Sequence, residues 1–91
     1  MEWYQFPVNN RQKKTLELIF RDPVSANVLW KDIESLLRAL GCEISEGNGS
    51  RVRLALGRVR AVFHRPHPNP ATDKGAVKSM RKFLTNAGHK P

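Results

Sequence analysis

The chain has 91 residues and a net charge of +8, with 16 lysines and arginines against 8 acidic residues. That length allows one small domain with a modest core, whose stability a partner or a second copy would raise. A single cysteine, Cys42, excludes an intrachain disulfide, no histidine pair stands at ligand spacing beside a carboxylate, and no apolar stretch is long enough for a signal peptide or membrane span. The pattern therefore calls for no metal or cofactor and for a cytoplasmic protein.

Met1–Val8 is aromatic-rich, an arm whose Trp3, Tyr4 and Phe6 pack on the body or meet a partner. Asn9 or Asn10 caps a helix over about 10–21, with Leu16, Ile19 and Phe20 on one side. Asp22-Pro23 ends it, because a residue before proline avoids helical angles. Residues 1–28 thus read as an N-terminal extension of arm plus helix. A second helix over about 30–40 follows from Trp30, Ile33, Leu36, Leu37 and Leu40, with Gly41 at the C-terminal cap. Cys42–Glu46 reads as a short strand and Gly47-Asn48-Gly49 as a turn.

The segment 51–64 reads as a β-hairpin about a two-residue turn at Gly57-Arg58, with glycine where a type II′ turn demands it. Leu56 then pairs with Val59, Leu54 with Ala61 and Val52 with Phe63, all apolar and all on one face. The other face sets Arg51 opposite His64, Arg53 opposite Val62 and Ala55 opposite Arg60. Pro66, Pro68 and Pro70 stiffen the next loop. Thr72 or Asp73 caps a last helix over about 74–87, striped by Val77, Met80, Phe83, Leu84 and Ala87 and stopped by Gly88. Residues 89–91 form a tail in which His89 is expected to be solvated. The fold class is α+β: an α-β-β-β-α core over 29–88, its three-stranded antiparallel sheet covered by helices on one face as in double-stranded-RNA-binding domains, plus an extra N-terminal helix.

The charge is one-sided. Residues 1–46 balance to −1, whereas residues 47–91 hold ten lysines and arginines and one acid, Asp73. A basic sheet face of this kind is the electrostatic footprint of a nucleic-acid partner, RNA foremost. An anionic membrane surface fits less well, since no basic amphipathic helix with a broad apolar face is apparent. Arg53, Arg58, Arg60 and Arg65 read as phosphate contacts, His67 in the proline loop and Lys74 at the last helix's start as further RNA contacts. An enzyme acting on small molecules is disfavoured: beyond residue 46 there is one acid and neither a nucleophile–base pair nor a phosphate loop.

Three pieces together resemble the HicA family of bacterial toxins. They are Leu36-Leu37-Arg38-Ala39-Leu40-Gly41 at a helix end, Gly49-Ser50 opening the second strand, and Pro66-His67-Pro68 followed by Lys74-Gly75-Ala76-Val77 and Phe83-Leu84-Thr85-Asn86-Ala87-Gly88. The resemblance spans roughly residues 29–88. It implies a type II toxin–antitoxin toxin acting as an mRNA endonuclease without metal, neutralised by a HicB-like antitoxin. The family motif Gly-Ser-His-His stands here as Gly49-Ser50-Arg51-Val52, without either histidine.

Cleaving RNA without metal requires a base for the 2′-hydroxyl, an acid for the leaving oxygen and cations around the phosphorus. Histidine suits the first two roles, whereas arginine stays protonated and can only stabilise phosphate charge. The hairpin register sets His64 across from Arg51, so His64 is expected as general acid/base, Arg51 as phosphate clamp, and Ser50, which the motif keeps, beside them. The alternative is a binding module on the same fold that no longer cuts RNA. An antitoxin would cover the Arg51/His64 face with acidic groups; a homo-oligomer and a toxin–antitoxin hetero-oligomer both remain open.

Overall fold

The chain's first helix is fixed at its start by a reciprocal cap. Asn9 accepts from the Gln12 backbone N–H at 2.8 Å, and the Gln12 side chain accepts from the Asn9 N–H at 2.9 Å, which satisfies two of the four orphan donors of a helix start. The structure is a computed structural model that describes residues 8–91; the expected aromatic arm at Trp3, Tyr4 and Phe6 lies outside the described residues. Helix α1 runs Asn10–Ile19, two residues short of the expected end. The shortening has a tertiary cause. Arg81, far along the chain, donates to the carbonyls of Ile19 and Arg21, each at 2.9 Å, and its guanidinium lies 6.0 Å from the Phe20 ring. Carbonyls freed at the helix end are thereby satisfied without another turn.

Strand β1 (Val28–Leu29) leads into α2 (Trp30–Ala39). Trp30, Ile33, Leu36 and Leu37 form its buried stripe. Its end is a Schellman motif: Gly41 takes φ +88°, its N–H bonds Arg38, and the Cys42 N–H bonds Leu37. Next come β2 (Glu43–Glu46), β3 (Arg51–Leu56) and β4 (Val59–His64), a three-stranded antiparallel sheet in the order β2-β3-β4. Every hairpin pair is as the alternation dictates, from Arg51 with His64 to Leu56 with Val59. Gly57 has φ +62° and no described non-glycine residue has a positive φ, the signature of a type II′ rather than a type I′ turn. Strand β5 (Ala71–Thr72) pairs antiparallel with β1, and α3 (Lys74–Asn86) is capped by Asp73, which accepts from the Ala76 N–H at 2.7 Å. Thr72, the other cap candidate, is buried in β5.

One core holds these pieces together. The inward face of the sheet supplies Val52, Leu54, Leu56 and Phe63, α2 supplies Ile33, Leu36 and Leu37, α3 supplies Val77, Met80, Phe83 and Leu84, and α1 adds Leu16 and Ile19, all buried. Each fully buried aliphatic side chain contributes about 1.5–3 kcal/mol, so α1 is integral to the body. Phe63 packs between Trp30 and Phe83, with ring centroids 5.9 and 6.3 Å away. The sheet's other face, with Arg51, Arg53, Arg60, Val62 and His64, is exposed.

The tail departs from expectation. His89 is only 6% exposed, and its N–H donates to Leu84 at 2.8 Å, completing a second Schellman motif at the end of α3. Helix termination draws the residue after Gly88 back over the last turn, so a histidine that looks solvated in sequence is buried. Burial holds its imidazole below the usual histidine pKa.

Candidate active site and nucleic-acid interface

The open end of the β3–β4 hairpin gathers the residues with chemistry. The turn before β3 is tied by the Arg51 N–H to Asn48 and by the Gly47 N–H to Arg51, at 3.1 and 2.9 Å. The ladder extends one step past its last strand pair, the Arg65 N–H donating to the Ser50 carbonyl at 2.9 Å. Because antiparallel pairs alternate, the neighbouring Arg51–His64 pair is of the non-hydrogen-bonded kind, the closer-spaced of the two, with side chains adjacent. Ser50 Oγ lies 3.3 Å from His64 Nδ1. Ser50, Arg51 and His64 are all exposed. The site is therefore a serine–histidine contact beside an arginine, on a solvent-exposed surface.

A second set of contacts holds this end in place from below. Glu34 of α2, only 7% exposed, accepts from the Trp30 indole, from Arg38 at 3.2 Å and from Arg65 Nε at 2.7 Å. Arg65 also reaches Glu46 of β2 at 2.5 Å. Burial raises the Glu34 pKa, but the hydrogen bonds from Arg65 and Trp30 and the charges of Arg65 and Arg38 outweigh it, leaving the carboxyl below its usual range. The Arg65 bond lowers Glu46 likewise, and Glu46 and Glu34 together raise Arg65. Arg65 is thus engaged with two carboxylates and one strand, its side chain 31% exposed. Sequence reading missed this role. The signal available was Glu34 itself, four residues after Trp30 on the apolar side of α2.

The other basic residues divide. Arg53 and Arg60 share the open sheet face with Val62, over a shallow hollow also lined by Glu43, Ser45 and Ala55; Arg53 is steadied by a 2.9 Å bond to the Glu46 carbonyl. Arg58 projects from the hairpin turn, at the far end of β4 from His64. His67 is exposed in the proline loop. Lys74 lies in a depression formed with residues 21 and 23–27. Beside β4 runs a groove of about 480 Å³, walled by Arg60, Val62 and His64 on one side and Ser79, Lys82 and Asn86 of α3 on the other. Among the described residues no group of three or more His, Cys, Asp or Glu could hold a metal ion.

Together these features define a small basic α+β domain whose helices pack one sheet face and whose bare face carries arginine and histidine. The chain belongs to the HicA toxin family of bacterial toxin–antitoxin systems, whose family model matches residues 30–88. The match begins at the first residue of α2 and ends at Gly88, just beyond α3. Comparison with curated proteins and with solved structures gave no match. A toxin of such a system has an antitoxin as its kind of partner. No helix of the described residues is long and apolar enough to cross a membrane.

Proposed function

We propose that this toxin is an endoribonuclease that cuts mRNA without metal and is silenced by a HicB-like antitoxin. The observation that carries the reading is the 3.3 Å approach of Ser50 Oγ to His64 Nδ1, with Arg51 across the ladder from His64. Ser50 fixes one ring nitrogen and leaves Nε2 for RNA. With Nδ1–H donating to Ser50, Nε2 takes the proton of the attacking 2′-hydroxyl; a protonated ring returns it to the departing 5′-oxygen. Arg51 balances charge on the non-bridging oxygens of the crowded phosphorus. Arg53 and Arg60 hold the flanking backbone on the open sheet face, with Arg58, His67 and Lys74 as outlying contacts. Arg65 acts through position, anchoring the strand end that bears His64.

The replacement of the motif's first histidine by Arg51 favours one second reading, a domain that binds RNA and leaves it whole. End-labelled single-stranded RNA incubated with the pure protein in chelator separates the two. Cleavage by wild type and not by His64→Ala supports the nuclease. Intact RNA with a gel shift in both lanes supports the binding domain.

A further inference from the structure

From the free edge of β4 we infer a docking groove for a strand of protein: an extended partner segment, with acid, apolar and acid at every second position, adds to the sheet beside His64. The inference rests on the reading of this chain as a toxin silenced by a protein.

Among the described residues β4 pairs with β3 alone, so one row of its backbone groups has no strand partner. The register says which groups these are. The Arg65 N–H bonds the Ser50 carbonyl, which makes Ser50–Arg65 a hydrogen-bonded pair and, by alternation, Arg51–His64, Arg53–Val62 and Ala55–Arg60 non-hydrogen-bonded pairs. The N–H and C=O of Arg60, Val62 and His64 therefore point away from β3, along the groove wall. Unpaired edges recruit strands, and an edge lying beside a helix is a recurrent seat for an extended peptide.

The groove beside this edge encloses about 480 Å³ between β4 and α3. Its α3 wall offers Ala76 and Ser79, small enough to admit a backbone about 4.8 Å from β4. Val62 is 58% exposed, the one large hydrophobic left exposed among the described residues. On the bare sheet face the added strand would set its side chains against Arg60, Val62 and His64 in turn. That order selects an acid, an apolar residue and an acid at alternate positions, with Lys82 adding positive charge along the same groove and Asp73, engaged in capping α3, the one acid of its lining. The opposite edge, β2, carries Glu43 and Glu46 and would repel the same segment. A segment seated on β4 covers His64, so docking and silencing are one event.

The test uses isotope-labelled full-length protein and a synthetic peptide with the core Glu-Thr-Val-Thr-Glu, whose first, third and fifth residues share one face. Binding is expected to slow amide hydrogen exchange at Arg60, Val62 and His64. Val62→Pro removes an outward N–H and no bond to β3, so it should weaken the peptide roughly tenfold. Val62→Ala, which keeps that donor, should cost much less. Peptide binding that leaves those three amides exchanging as before, or no binding, overturns the proposal. So does an RNA oligonucleotide that protects the same amides when the peptide does not. The readout needs no RNA cleavage, so a protein that docks the peptide and leaves RNA whole would refute the nuclease and retain the groove.

Discussion

Ser50 Oγ lies 3.3 Å from His64 Nδ1 across the open end of the β3–β4 hairpin, a contact between residues fourteen apart in sequence. The hairpin register creates it, and it gives His64 a fixed ring orientation on an exposed surface. If that ring moves the proton, His64→Ala should lower RNA cleavage by about 10²–10⁴-fold. Ser50→Ala, which leaves the imidazole but frees its orientation, should cost roughly tenfold. Both side chains are exposed, so thermal stability should hardly change. Rates measured on a labelled RNA in chelator decide it. Full activity in His64→Ala would remove the residue from the chemistry.

The open sheet face makes a separate prediction. Arg53 and Arg60 flank Val62 there, exposed and away from the core. Arg53→Glu and Arg60→Glu should each weaken RNA binding across sequences. Each should also flatten the dependence of log affinity on log salt by about 0.7 for every phosphate of a single strand that is no longer neutralised. Arg65→Glu should behave differently, because its guanidinium is bound to Glu34 and Glu46: it should lower the melting temperature first. Unaltered RNA affinity in both Arg53→Glu and Arg60→Glu would show that RNA lies elsewhere.

The sheet was the most legible part of the sequence, and the reason is period. Six consecutive pairs between β3 and β4 obey a strict alternation, so turn chemistry at Gly57 and apolar spacing at Val52, Leu54, Leu56 and Phe63 converge on one register. The stripes of α2 and α3 were legible for the same reason at helical period. The β1–β5 ribbon was not: Val28–Leu29 and Ala71–Thr72 are two residues each, too short to have a period, and their pairing depends on the fold that brings them together. Nor was the use of charge. Arg65 with Glu34 and Arg81 with the end of α1 join residues more than thirty positions apart, and a single sequence gives no sign which arginine meets carboxylate and which meets solvent. His89 was misjudged because a polar residue after a helix-stopping glycine reads as tail, whereas the Schellman geometry folds it inward.

The hairpin turn can be tested by itself. At Gly57 an added Cβ would meet nothing within 4 Å, so the only penalty for a side chain there is the backbone's φ of +62°. Gly57→Ala should destabilise by about 1–2 kcal/mol, lowering the melting temperature by about 4–8 °C per kcal/mol in a domain of this size. Arg58→Ala at the next position should stay within about 0.5 kcal/mol. D-alanine introduced at position 57 by semisynthesis suits the positive φ and should match or exceed wild type. An L-alanine variant as stable as wild type would exclude the II′ turn.

Acid should unfold this protein in two stages. His89 and Glu34 both have pKa values lowered in the fold, His89 by burial, Glu34 because bonds and charges from Arg65, Trp30 and Arg38 overcome its burial. A group whose folded pKa is depressed binds protons more readily in the unfolded chain, so its contribution to stability is whole above the unfolded pKa and lost as pH falls through the folded one. For His89 the loss begins below about 6.5, and for Glu34 below about 4.5. Melting temperature should therefore be flat above neutrality, decline once below pH 6.5 and again below pH 4.5. His89→Gln should remove the first decline. Glu34→Gln should weaken the second and cost about 2 kcal/mol at neutral pH, because Arg65 keeps Glu46 but loses its buried charged partner. Thermal melts across pH 3–8 read both. A His89→Gln profile that overlays wild type would mean that the buried imidazole does not set the first stage.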